Sequence, residues 1–382
     1  MPNWLDGERR DRLKVQCVNP LTFSYLGSFS VTGATLTEGY YTDTRIQGTV
    51  STIDAAKYIP LSMIRLIHEA DFQNGDHYKQ ILGTFFAIRS RDTWRSGSQT
   101  TEFELKSVLY GLSNDLAPYT GTLAKGSMAQ AAFNDICYTH CSRKCRWIAG
   151  ANDKRFDKNR TLEIGDSRLS WLHQLADMSD NRLNCDEEGY VIMTKYISPS
   201  KITPKMSLPY NSPLVLASGI GRTSDEMTVS SRSIVTWEHE YEVKVKDGTY
   251  SSACTDSDGV YHPKGSTKYK TKRERKPIIA YADVDAGDPA HINRRGFRIA
   301  SWHQEDDLGD SQALAQQAAK AYLGFESKPT VEWSVSTRWF EVHPGDVLRW
   351  KPSADEDYRK VLVTDCDKDL FKFTIQLKLK EV

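Results

Sequence analysis

The stretch GDSRLSWLHQLADMSDNRLNCDEEGYVIMTKY, residues 165–196, combines the signals of a helix and a hairpin. Asp166 stands at the position expected for an N-cap. An apolar stripe follows at helical spacing, formed by Leu169, Leu172, Leu175 and Ala176. An Asp-Glu-Glu-Gly turn then separates two short alternating runs. With a further helix expected after Ser127, the pattern predicts a small α+β domain of two helices and a hairpin over 119–200.

Strand signals dominate on both sides of this unit. Short alternating runs separated by Gly, Asn and Asp turns fill residues from about 10 to 115 and from about 201 onward. One late helix, predicted over 310–323 with Asp310 or Ser311 as its cap and Gly324 as its stop, interrupts the second region. We therefore predict an α+β, mainly β chain of three domains: a β-barrel domain over 1–118, the α+β domain over 119–200, and a second, related β-barrel domain over 201–382.

The bulk composition excludes several classes of protein. The 382 residues include 50 basic and 50 acidic side chains, so the chain has no overall attraction for nucleic acid or anionic membranes. The first residues, MPNWLDGERRDRLK, lack the apolar core of a secretion signal, and no run approaches the roughly 18 apolar residues of a membrane span. Seven cysteines, an odd number without a regular disulfide-like spacing, indicate reduced thiols and synthesis in the cytoplasm.

The stretch ICYTHCSRKCRW, residues 136–147, concentrates the cysteines. Three thiols stand at four-residue spacing: Cys137, Cys141 and Cys145. This spacing places them on one face of a helix expected to reach Trp147, and packing is the preferred interpretation because free cysteine is among the most buried residue types. The alternative is a metal ion or an iron–sulfur cluster held by the three thiolates, with His140 or Cys185 as fourth ligand.

The stretch PKGSTKYKTKRERKP, residues 263–277, is locally basic and is predicted to be a loop. Its cations are Lys264, Lys268, Lys270, Lys272, Arg273, Arg275 and Lys276. They could contact phosphate groups, but a solvated surface or a docking surface for an acidic neighbour is the preferred interpretation. No Gly-rich phosphate loop, nucleophile elbow or HExxH motif occurs, so no catalytic residue is assigned and the chain is predicted not to be an enzyme.

Three stretches together, in this order, resemble the phage tail-hub family, which includes the central hubs of contractile baseplates, type VI secretion spikes and the tail-tip hubs (minor tail proteins) of long non-contractile tails. The first is EGYYTDTRIQGTV (38–50) with ILGTFFAI (81–88). The second is the helix and hairpin of 165–196. The third is SQALAQQAAKAYL (311–323), followed by HPGDVLRW (343–350).

This resemblance implies a virion protein of the tail tip or baseplate. The implied fold is two β-barrels that build a ring as a homotrimer, with the α+β domain at its periphery. The implied function is to join the tail tube to the tip complex and to gate the channel for DNA ejection. The implied partners are the tail tube or distal tail protein and other tape-measure, tip or receptor-binding proteins, while DNA passes without specific recognition and no membrane anchor is involved.

Two other functions stay open at this stage. Exposed members of the nine tryptophans and eighteen tyrosines could form a glycan-binding module that recognises a host surface. The Cys137 helix could instead define a metal- or cluster-binding protein.

Overall fold

We describe the protein from a computed structural model. It describes residues 9–95, 98–140, 144–156, 159–225, 229–255, 260–288, 290–305, 312–327 and 330–382. Contacts divide the chain into two compact units. The first comprises Met1–Thr223 with Glu332–Val382, and the second comprises Ser224–Val331.

The strands and helices confirm a mainly β chain of the α+β class. The first strands are β1 (Arg9–Val18), β2 (Tyr25–Phe29), β3 (Gly33–Gly39), β4 (Ile46–Thr52), β5 (Met63–Phe72), β6 (His77–Arg95), β7 (Ser98–Lys106), β8 (Gly121–Leu123), β9 (Cys145–Trp147), β10 (Arg160–Leu162), β11 (Asn181–Cys185), β12 (Val191–Lys195), β13 (Ser207–Pro209) and β14 (Val215–Asp225). The later strands are β15 (Arg232–Thr249), β16 (Cys254–Thr255), β17 (Tyr261–His262), β18 (Thr267–Asp283), β19 (Ala300–Glu305), β20 (Thr330–Arg338), β21 (Val347–Lys351), β22 (Arg359–Asp369) and β23 (Thr374–Glu381). The α-helices are α1 (Val108–Ser113), α2 (Ala129–His140), α3 (Arg168–Met178), α4 (Ile292–Arg295) and α5 (Gln312–Glu326), and short 3-10 turns occupy Ala55–Lys57 and Pro199–Lys201.

One sheet of thirteen strands organises the first unit. Its order is β14-β20-β23-β22-β3-β4-β7-β6-β5-β1-β2, with β21 beside β22 and β13 beside β21. One edge of β22 pairs first with β21 and then, further along the strand, with β3. The other edge of β22 pairs with β23. The N-terminal and C-terminal strands are therefore joined in a single sheet through the β3–β22 ladder.

The seven N-terminal strands lie in the sheet in the order β2-β1-β5-β6-β7-β4-β3. The two strands at the ends of this series, β2 and β3, are consecutive in the chain and are connected by residues 30–32 alone. Thr32 donates a backbone hydrogen bond to Ser51, at 2.8 Å, which ties this connection to β4. In the described part of the chain, no ladder joins β2 or β1 to β3. The N-terminal strands thus form a curled sheet with an open seam, and closure into a barrel stays a prediction.

A three-stranded sheet in the order β11-β12-β9 and the helices α2 and α3 pack around their own apolar core. Leu172, Leu175 and Val191 are fully buried in it. The hairpin of β11 and β12 turns at Gly189, whose φ of +96° is a conformation that glycine adopts without strain. Ser167, rather than Asp166, caps α3, because its side chain accepts a hydrogen bond from the Ser170 amide at 3.1 Å.

The second unit is built on a long antiparallel ribbon. β15 and β18 pair along almost their whole lengths, and β19 adds in parallel to the base of β15, from Arg232 to Trp237. Helix α5 covers one face of the base, where Val235, Ala319 and Leu323 are buried. The helix continues past the predicted stop at Gly324, because apolar packing offsets the cost of about 1 kcal/mol for a helical glycine. The predicted caps Asp310 and Ser311 lie outside the described residues.

The predicted boundaries at 118 and 200 do not coincide with those of the two compact units, because β22 pairs with β3 of the N-terminal region. The assignment of two related barrels to 1–118 and 201–382 stays a prediction. Within the described ranges, no helix is both long and apolar enough to span a membrane.

A buried ion pair lies at the β3–β22 ladder. Glu38 and Lys368 are 2% and 3% exposed, and Lys368 Nζ lies 2.5 Å from Glu38 Oε1. His343 Nδ1 lies 3.2 Å from the other carboxylate oxygen. Burial raises the pKa of Glu38, but the charge of Lys368 and the imidazole of His343 outweigh burial and lower that pKa to about 2. The carboxylate is therefore ionised and has a partner at each oxygen.

We expect Glu38→Gln to lower the free energy of unfolding at pH 7 by about 3–5 kcal/mol, because it leaves the Lys368 charge buried without a carboxylate. Urea unfolding followed by tryptophan fluorescence measures the loss. The double variant Glu38→Leu/Lys368→Met should recover most of it, since no charge is left unpaired. Lys57→Met is the matched control: it breaks the exposed Lys57–Asp54 pair and should cost less than about 1 kcal/mol.

The same pair predicts a specific acid sensitivity. The folded pKa of about 2 lies below the ordinary value of 4.5, so the ionised Glu38 stabilises the fold fully above pH 4.5. This contribution is lost as the pH falls from 4.5 toward 2. The wild type should therefore lose stability more steeply than the Glu38→Leu/Lys368→Met variant in this window. Equal pH slopes for the two proteins would contradict the assignment.

Candidate functional site

Two of the three clustered cysteines meet, although they lie on different elements. Cys137 is fully buried on α2, and Cys145 is half-buried at the start of β9. The hydrogen bond between the two thiols lowers the pKa of Cys145. The predicted helix to Trp147 is wrong, because α2 ends at His140.

The backbone pairing of β9 explains why the helix does not continue. The Val191 amide donates to the Lys144 carbonyl at 2.7 Å, and Cys145 pairs with Val191 in a parallel ladder. Arg146 also forms ion pairs with Asp186 and Glu188, at 3.2 and 2.8 Å. Sheet pairing therefore overrides the helical spacing of the cysteines in this segment.

The structure separates Cys185 from Cys145. Cys185 on β11 and Cys145 on β9 flank the same residue of the intervening strand, Val191. Two strand spacings put them roughly 10 Å apart, too far for both sulfurs to bind one ion. Burial raises the pKa of Cys185 to about 12, and Ser107 is its hydrogen-bond partner.

The structure describes only some of the residues predicted as metal ligands. Cys141 and the side chain of His140 lie outside the described residues. In the parts of the chain that the structure describes, no three His, Cys, Asp or Glu side chains are placed to bind a metal ion. Packing and metal binding by this cluster both stay predictions.

The predicted basic loop is for the most part a strand. From Thr267 onward it belongs to β18, in register with β15. The side chains of Lys264, Lys268, Lys270 and Lys272 are exposed. Lys270 pairs with Asp247 at 2.8 Å, and Lys272 approaches Glu274 at 3.4 Å.

Acidic residues on β15 oppose the other half of the basic stretch. Arg273 pairs in register with Glu242, Arg275 with Glu240, and Lys276 with His239. Toward the distal end of the ribbon, the side chains of Lys244, Lys246, Lys264, Lys268 and Lys272 are exposed.

A polar face covers six strands of the thirteen-stranded sheet, and it was not predicted from the sequence. Opposite the buried face, strands β7, β4, β3, β22, β23 and β20 carry small polar and charged residues in register. They are Thr100, Glu102, Glu104, Lys106, Gln47, Thr49, Ser51, Gly33, Thr35, Thr37, Asp365, Asp367, Asp369, Thr374, Gln376, Lys378, Lys380, Glu332, Ser334, Ser336 and Arg338. At these described positions there is no aromatic or large apolar side chain.

Hydrogen bonds connect neighbouring strands across this polar face. Thr35 and Thr49 share a hydroxyl hydrogen bond of 2.9 Å, and Lys106 donates to Gln47 at 2.6 Å. On the other side of β22, Gln376 donates to Ser334 at 2.5 Å. In the sequence these polar residues alternate with Leu36, Val50 and Leu105, which are buried. This alternation is the pattern from which the polar face could have been predicted.

Exposed aromatic residues occur on both units: on the first, Trp94 is 70% and Tyr41 67% exposed, and the second carries a row of them. Tyr281 and Trp302 pair with the same residue of β15, Ile234, from its two sides, so the three form one row. Tyr281 is 53% and Trp302 64% exposed, on the face of the sheet opposite α5. Arg232 lies 4.3 Å above the Tyr281 ring. This row is one described candidate for the predicted aromatic surface.

We expect the triple variant Cys137→Ala/Cys141→Ala/Cys145→Ala to fold and to lose about 1–3 kcal/mol of unfolding free energy, as expected for lost packing volume. Circular dichroism during urea unfolding gives the loss, and Cys254→Ala, at an exposed position, is the control. Elemental analysis of the purified protein should find no stoichiometric metal. One equivalent of zinc or iron, with unfolding of the α2–α3 region in the variant, would instead support a metal site.

No protein-family model and no curated protein matches this sequence. Solved structures do match its fold. A tail protein from Neisseria meningitidis superposes with a TM-score of 0.62 and 11% identity, over 97% of this chain and 96% of that one. The 43 kDa tail protein of prophage MuSo2 from Shewanella oneidensis gives a TM-score of 0.58 and 9% identity, with 97% of each chain covered.

A chain of the Francisella PdpA–VgrG complex gives a TM-score of 0.51 and 9% identity, over 98% of this chain and 58% of that one. Identities this low carry information about the fold alone. The resemblance predicted from the sequence is confirmed at that level: over nearly its whole length, the chain has the fold of phage tail proteins.

Proposed function

We propose that the chain is a structural hub of a phage or phage-like tail, located at the tail tip of the virion. In this proposal, three copies close a ring that joins the tail tube to the tip complex, and DNA leaves through its centre. The observation that carries the proposal is the match to the Neisseria tail protein, at a TM-score of 0.62 over 97% of this chain and 96% of that one. A match that covers nearly all of both chains supports a similar position in a tail more strongly than a match to one shared domain would.

The strand groups support two barrel-like halves per chain. Seven strands come from residues 9–106, and six come from residues 207–225 and 330–381. The β3–β22 ladder joins the two groups. Two related halves in each of three chains would present six similar positions around one axis, which suits a sixfold tail tube. In this arrangement the α2–α3 region lies outside the ring.

The polar face of the large sheet suits the wall of a DNA channel. A wall that lets a polyanion slide should offer few cations to its phosphates and no aromatic rings for its bases to stack on. The residues from β7 to β22 meet this requirement, since Thr35, Thr37 and Thr49 lie among Glu102, Glu104 and Asp367. We infer that the part of this face from β7 to β22 lines the lumen.

The proposed partners follow from this placement. One side of the ring would contact the tail tube or the distal tail protein, and the other would contact tip, tape-measure or receptor-binding proteins. The distal lysines of the β15–β18 ribbon would serve as a docking surface for an acidic neighbour. The role is structural, and the proposal includes no catalytic residue.

The assembled particle should contain three copies of this chain around the tail axis, because two halves per chain must match six tube positions. Electron cryomicroscopy of tails measures the copy number directly. The same map should place residues 119–200 outside the ring. One or six copies around the axis, or residues 119–200 on the channel wall, would contradict the hub assignment.

Cations placed on the polar face should slow DNA release. In particles carrying Thr35→Lys/Asp367→Lys, we expect release to be several-fold slower at low salt and to recover at high salt, because phosphate contacts weaken with salt. The matched control Thr35→Gln/Asp367→Gln alters the same exposed positions without adding positive charge. Release can be followed by the fluorescence of a DNA-binding dye. If assembled particles of the two variants release DNA equally fast, the polar face does not line the channel.

A further inference from the structure

From Arg10 to Lys14, one backbone edge of β1 has no partner strand in the described residues. β5 pairs with β1 from Arg9 to Val18 on one side. On the other side β2 pairs only from Val15 to Val18, and β2 ends at Phe29, opposite Val15. The edge of β1 from Arg10 to Lys14 therefore presents alternate amide and carbonyl groups to the open seam of the curled sheet.

A groove of about 810 Å³ runs along this edge. It is bounded by residues 28–31 at the end of β2 and by the β22–β23 turn, where Leu370, Phe371 and Phe373 line it. Five residues of extended chain span about 17 Å, so the groove offers room for one short strand beside β1. Its volume also falls in the range of about 300–1,000 Å³ that is usual for binding pockets.

The two sides of the groove differ in chemistry. On the solvent side β1 presents a row of exposed cations, Arg10, Arg12 and Lys14. Asp71 pairs with Arg12, and Glu69 pairs with Lys14 at 2.7 Å and with Lys79 at 3.9 Å. With Lys79 included, four cations face the two carboxylates of Asp71 and Glu69, so a positive excess remains on this side.

On the inner side, apolar side chains lie beside the Asp11 carboxylate, which pairs with Arg9 at 2.9 Å and with His68 Nε2 at 2.8 Å. Leu13 is partly buried there, and Phe371 is 53% exposed at the turn. Phe373 packs against the buried His68 ring, with 5.1 Å between ring centroids. A strand added to β1 alternates its side chains between these two sides, because successive residues of a strand point to opposite faces.

We propose that the β1 edge from Arg10 to Lys14 is a strand-addition site for an extended segment of a neighbouring protein, in which apolar residues alternate with acidic ones. Backbone hydrogen bonds to β1 supply the affinity. Apolar side chains contact Leu13 and Phe371, and carboxylates approach Arg10, Arg12 and Lys14. The proposal does not depend on the hub function, since it concerns only this edge and its chemistry.

The test uses the full chain and a fluorescein-labelled peptide, Val-Glu-Val-Glu-Val-Glu-Val, measured by fluorescence anisotropy. We expect it to bind at least tenfold more tightly than the peptide with lysine in place of glutamate. Hydrogen exchange followed by mass spectrometry should show new protection of residues 10–14. Phe371→Asp should weaken binding at least fivefold, whereas Leu61→Asp, at a residue that is 92% exposed, should not.

Two N-methylated peptides test for strand addition itself. The amides of the valines face one edge of the added strand and those of the glutamates face the other, so methylating one set should abolish binding and methylating the other should not. Equal binding by the two methylated peptides, or no protection of residues 10–14, would overturn the proposal. So would binding that occurs only in a variant lacking residues 1–8, since the chain's own first residues would then be the occupant.

Discussion

The ladder between β3 and β22 is the contact on which the large sheet depends. It joins strands from opposite ends of the chain, and its central ion pair links residues 330 positions apart. Lys368 and Glu38 are both almost completely buried, so the pair has strict geometric requirements: each charge has to find its partner inside the sheet. A shift of β22 by one residue would turn Lys368 to the polar face and leave Glu38 unpaired. The ion pair therefore specifies register as much as it contributes stability.

The register fixed at this ladder determines the character of both faces of the sheet. On one face, Leu36 on β3 and Cys366 on β22 are buried with their neighbours. On the other, Thr37 and Asp367 lie side by side in solvent. The same pairing thus aligns the N-terminal and C-terminal polar residues into one continuous surface, which neither strand group forms alone. The proposed channel wall is a consequence of the β3–β22 register.

Local signals allowed part of this structure to be predicted. The α3 helix and the β11–β12 hairpin follow from a cap, a stripe and a Gly turn within 32 residues, and all of these are visible in the sequence. The strand conformation of Cys145 could not be predicted from the sequence, because it depends on backbone pairing with the distant Val191. The register of Arg273 and Arg275 with acidic positions could not be predicted for the same reason, since those positions lie on another strand. The β3–β22 pairing has no local signal at all. What the sequence could not provide was the partner of each strand, which depends on contacts between distant residues.

The separation of β3 from β22 also has a consequence for synthesis. With 330 residues between Glu38 and Lys368, a ribosome working at about 5–20 residues per second delivers the lysine roughly 15–65 s after the glutamate. During that interval β3 has no C-terminal partner, and Glu38 has to remain hydrated. The N-terminal strands can curl early, but the two halves join only when the last part of the chain emerges. A chain that still lacks its C-terminal strands therefore leaves β3 with an unpaired edge, and the large sheet is complete only when synthesis is complete.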